Sequence, residues 1–151
     1  MYTPIIALAD LENYIYPEKI TAITRSNATI VNDAIASAIS EVKTFLGRFD
    51  IVAMFGDPVA DTAATMPADQ FLNKLCAHIA CWNIVQLANV GIDLSLIRTN
   101  QEDAIHTLTR IQQLKQVPQN WPLLDLNTIN TNATKGNPVQ IKARPKRSNN
   151  F

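Results

Sequence analysis

The residues of this 151-residue chain best suited to chemistry are Cys76, His78 and Cys81, with His106 further on. Thiolates and imidazoles hold zinc when paired ligands at short spacing come in two clusters. Here a single irregular group sits in an apolar segment, so the spacing predicts ordinary core cysteines and a peripheral histidine, with no metal site. A disulfide is excluded as well. On one helix the offset from Cys76 to Cys81 means ~7.5 Å of rise and more than a third of a turn, a gap that an S–S bond does not close. Nucleophilic catalysis has no better footing. The chain has two histidines, no Gly-x-Ser-x-Gly elbow and no Gly-rich phosphate loop, and its carboxylates fall singly on expected helix surfaces. The expectation is a protein that is not an enzyme and takes no cofactor.

The elements that carry these residues read as helices built to pack. Val31, Ile35, Ala38, Val42, Phe45 and Phe49 recur at steps of four and three, which is one stripe of a 3.6-residue helix. Ile39 and Leu46 widen it toward the ~100° apolar face of a helix lying on a core. Asn27 or Ser26 caps this helix, expected from about Ala28 to Arg48 with extension to Phe49 or Ile51. Before it, Thr3 with Pro4 opens a first turn, Pro17 interrupts, and Glu18 to Ile23 resumes, burying Leu8, Leu11, Ile15, Ile20 and Ile23. Asp57, Pro58, Asp61 and Pro67 mark a loop.

A third helix opens near Pro67 to Gln70 and buries Phe71 or Leu72, Leu75, Ile79, Trp82, and Val85 or Gln86, with Gly91 as its left-handed end. Asn100 caps a fourth, striped by Ile105, Leu108, Ile111 and Leu114, and Pro118 stops it. Ile35, Ile39, Val42, Leu46, Leu75, Ile79, Leu108 and Ile111 form the expected core. The fold class is therefore all-α: a small bundle of about four helices with an extended C-terminal tail.

Composition agrees with one domain plus a tail. At 47% hydrophobic residues the chain can bury a real core, yet it is short for two. No apolar run reaches the ~20 residues of a membrane span, because even the richest segment holds Lys74, His78, Asn83 and Gln86. The N-terminus shows no secretory pattern, so a reducing, soluble setting is expected and the sequons at Asn27 and Asn132 read as accidental. Trp82 is placed in the core, and Trp121 pins the chain exit onto the bundle.

Zero net charge hides a division between residues 1–124 and 125–151. From Asp125 onward Lys135, Lys142, Arg144, Lys146 and Arg147 face one acid, so the tail carries +4 and the body −4. Such a segment reads as an interaction tail. Val139 and Ile141, with Lys142, form a short strand where a partner supplies an edge, and Arg144, Lys146 and Arg147 attract acidic side chains, or DNA phosphate less readily.

The order of pieces resembles the head-tail connector proteins of tailed bacteriophages, the head-completion or adaptor family, including the Mu-like joining-protein group. The resemblance rests on Thr3-Pro4 with Ala9-Asp10-Leu11, on Asp33-Ala34-Ile35 leading to Phe45-Leu46-Gly47-Arg48-Phe49, on Leu75-Cys76-Ala77-His78-Ile79-Ala80, and on Glu102-Asp103-Ala104-Ile105 leading to Leu114-Lys115. It covers about Thr3 to Leu124. The stretch Ile51 to Met66 and the tail after Leu124 depart from the family pattern. The resemblance implies a structural virion protein at the head-tail junction, assembled in the host cytoplasm. It implies a homo-oligomeric ring, commonly of twelve, below the portal protein, extending the DNA channel and docking tail or further neck proteins, with DNA passing through unread and no membrane contact. The alternative is a small helical DNA-binding regulator with a basic C-terminal tail; an acidic body without a basic recognition helix speaks against it.

Overall fold

Side chains that fold back onto their own backbone set where the helices start. The computed structural model of the chain describes residues 1–87 and 93–125, which form α1 (Leu8–Leu11), α2 (Pro17–Thr24), α3 (Ala28–Phe45), α4 (Ile51–Phe55), α5 (Gln70–Val85) and α6 (Leu94–Gln112). The fold class is all-α as expected, with two short helices added to four longer ones. Asn27 accepts from the Thr29 amide at 3.0 Å and Asp50 from Ala53 at 3.0 Å. Asp69 accepts from Phe71 and Leu72 at 2.8 and 3.0 Å, and Asp93 from Ser95 at 3.0 Å. Each satisfies an amide that has no partner inside its helix, worth ~1 kcal/mol apiece.

Packing is organised around α5. Ten of its sixteen residues are buried, on every side, which makes it the central helix. It contacts α1, α2, α3 and α6. The eight expected core residues are all buried, none above 4% exposure, so the helical phase read from spacing holds. α3 and α6 end close together, since Thr44, Phe45, Phe49, Ile111 and Gln112 line one cleft. α5 begins at that same end of the bundle, beside Trp121 and Phe49.

Several boundaries differ from expectation. Asn100 stands inside α6 rather than capping it, because Asp93 starts the helix earlier and so carries Ile97 into the core. The buried stripe of α6 is Ile97, Ala104, Leu108 and Ile111; Ile105 is half-buried, and Leu114 lies past the helix end at φ +58, half exposed. No helix forms at Thr3-Pro4. The first turn begins at Leu8, where the Asp10 carboxylate accepts from the Ala7 amide at 2.7 Å, and Leu8 faces outward. α3 stops at Phe45, before Gly47, and a turn closed by Phe49 N–H to the Leu46 carbonyl leads into α4. α4 lies between the expected end of the long helix and the loop marked by Asp57 and Pro58, where spacing predicts no separate helix. It forms because Met54 and Phe55, each 1% exposed, enter the core. In α5, Leu72 rather than Phe71 is buried, Val85 rather than Gln86, and Trp82 packs on the core half-buried. Gly91 lies outside the described residues.

Between α2 and α3 the chain reverses through Arg25 and Ser26, both left-handed at φ +53 and +59, and the Ser26 amide donates back to the Thr21 carbonyl. Among the described residues there is no named strand, only the isolated antiparallel bridges Phe49–Leu123 and Asp57–Thr62. None of their helices is long and apolar enough to cross a membrane.

Candidate interaction surface

The cysteine and histidine group belongs to the interior of the fold. Cys76 and Cys81 are free and buried, and burial pushes each thiol up to about 12. His78 corrects the expectation of a peripheral histidine: it is 8% exposed, held on α5 between the α1–α2 turn and α6. Its ring meets Tyr14 edge-on at 4.6 Å between centroids, and Nδ1 lies 3.2 Å from the Asn100 carbonyl. That carbonyl only accepts, so Nδ1 carries the proton. Burial holds the His78 pKa below the usual imidazole value, helped by Lys74 and opposed by the Asn100 carbonyl and Asp103. His106 is exposed on α6. Among the described residues no three His, Cys, Asp or Glu side chains are grouped to hold a metal ion.

The exit of the body is locked in place. Trp121, 6% exposed, donates from Nε1 to Asp69 Oδ2 at 2.9 Å and lies edge-on to Phe49 at 5.4 Å. Its expected pinning role is what the geometry shows. Beyond it, the Asp50 amide donates to the Pro122 carbonyl and the Leu124 amide to the Arg48 carbonyl, so residues 122–124 run antiparallel to 48–50. Leu114, Val117 and Leu123, which follow α6, are exposed apolar residues.

At the start of α6, an open groove lies between the α1–α2 turn and the helix. Tyr14, Ile15, Tyr16, Leu96 and Ile97 supply its apolar wall, and Lys19 and Asp93 its polar rim. Tyr16 is 78% and Leu96 60% exposed. Its cavity of about 250 Å³ falls below the ~300–1,000 Å³ of small-molecule sites, a size suited to side chains rather than a cofactor. Spacing along the chain did not reveal this groove. Tyr14 and Tyr16 flank the buried Ile15 just before Pro17, and that alternation on a turn was the available signal.

The expected partner-binding residues Val139, Ile141, Lys142, Arg144, Lys146 and Arg147 lie outside the described residues. Comparison with known proteins matches no family model, no curated protein and no solved structure.

Proposed function

We propose that the chain is a structural component of a phage neck, a head-tail connector that forms a ring between portal and tail. The observation that carries this reading is where the residues of the resemblance fall. Asp33 to Phe45 lies on α3, Leu75 to Ala80 on α5 and Glu102 to Ile105 on α6, and these three helices pack on one another as a continuous core. A second support is charge: a body at −4 and a terminal segment at +4 in one chain favour contact between unlike ends of successive copies. Repeated head-to-tail contact closes into a ring when the rotation permits.

The test is electron microscopy of the full chain mixed with the portal protein of the same genome. A cyclic layer of this protein on the portal is the expected result. Dispersed monomers, with the portal bare, overturn the reading. Tight binding to one duplex DNA sequence would replace it with the regulator.

A further inference from the structure

We propose that the groove at the start of α6 receives residues 138–147 of a second copy of this chain, with Val139 and Ile141 entering the apolar wall. The choice of a second copy rests on the assembly reading above; the groove and its chemistry do not.

The wall suits such a segment. Tyr16 and Leu96 leave large apolar surfaces in water beside the buried Ile15 and Ile97, and covering apolar area gains ~25 cal/mol per Å². In an extended segment Val139 and Ile141 share one face, two positions apart, so both can enter a groove of side-chain size. Charge agrees. The stretches that border the groove, residues 12–19 and 93–102, carry Glu12, Glu18, Asp93 and Glu102 against Lys19 and Arg98, whereas the incoming segment carries Lys142, Arg144, Lys146 and Arg147 and no acid.

Reach allows either donor, and the direct path selects a neighbour. The body ends at Leu124, whose amide donates to the Arg48 carbonyl at the end of the bundle where α6 finishes, while the groove lies where α6 starts, ~28 Å away along nineteen residues. Residues 126–137 extend to at most ~40 Å, enough to leave the body and enter a neighbour. To fill its own groove, a chain would have to lead its tail back along the whole bundle. A neighbour presenting its groove end to this exit takes the tail directly, and the same contact repeats from copy to copy.

The test uses full chains with one new cysteine each, Leu96→Cys in one and Ile141→Cys in the other. Cys76 and Cys81 are buried and remain silent. Mixed and oxidised at high concentration, the two should give a covalent dimer whose peptide map joins positions 96 and 141. Reversing Lys142, Arg144, Lys146 and Arg147 to Glu should lower its yield about tenfold, as four lost surface attractions predict, with the thermal melt unchanged. As a second preparation, one chain carries both Leu96→Cys and Ile141→Cys; a bond that forms only within such single chains, and not in the mixture, overturns the proposal in favour of the chain's own tail. No 96–141 bond in either preparation overturns it outright. The two readings separate cleanly: a ring on the portal without the 96–141 bond sinks this inference alone, and the bond without a ring sinks the connector alone.

Discussion

Trp121 Nε1 donates to Asp69 Oδ2 at 2.9 Å while the other oxygen of the same carboxylate accepts from the Phe71 and Leu72 amides. One side chain therefore both starts α5 and fastens the exit segment 52 residues later.

Removing that carboxylate should cost both functions. Asp69→Ala loses the cap, ~1 kcal/mol, and strands a buried indole N–H, ~1–3 kcal/mol. Asp69→Ser keeps a capping oxygen but is too short for the indole, so it should lose only the second part. Urea unfolding of the two variants with and without Trp121→Phe measures the coupling; a value of zero between Asp69 and Trp121 would show that the exit is held by packing alone.

Acid should loosen the bundle through His78. Its folded-state pKa is lowered by burial, so the unfolded chain takes the proton first. The stability contributed is fully present above the unfolded value of ~6.5 and is lost as pH falls through the lower folded value. Unfolding midpoints measured from pH 8 down to pH 5 should fall more steeply for the parent than for His78→Gln. Parallel curves would contradict the buried placement.

Neither thiol should react in the folded protein. Burial pushes both Cys76 and Cys81 up to about 12, leaving almost no thiolate at neutral pH, and neither sulfur is open to solvent. A colourless thiol assay in buffer, turning to two equivalents in denaturant, is expected. Rapid labelling of one cysteine without denaturant would show that α5 is not central.

Gly56 is required where α4 ends. It has φ +73 and ψ 178, a conformation open essentially to glycine, and an added Cβ would lie 2.5 Å from the Thr62 carbonyl oxygen and 2.9 Å from the Ala64 nitrogen. Gly56→Ala should cost about 1–3 kcal/mol in backbone strain alone and break the Asp57–Thr62 pairing. Gly47→Ala, with nothing within 4 Å of the new methyl, is the control and should be near neutral. Amide exchange at Asp57 and Thr62 reads the difference.

What the sequence determined by itself is local or periodic. The stripe from Val31 to Val42 announced its helix because burial on one face recurs with the helical period, and the run from Leu72 to Val85 announced its own by being apolar over a helix's length, as a helix buried all round must be. Asn27 marked a helix start because capping acts within three residues, and Trp121 between Asn120 and Pro122 was legible as a pin at an exit. Where two local signals competed, the tertiary structure decided. Asp93 and Asn100 are both competent caps, and only the seating of Ile97 against the core selects the first. α4 is too short to show a period, and five residues hold a helix here because Met54 and Phe55 are swallowed by the core. The partner of Trp121, the burial of His78 and the groove at Tyr16 and Leu96 all join residues far apart in the chain. No spacing rule reaches across such separations, because which faces meet is set by the packing of whole helices.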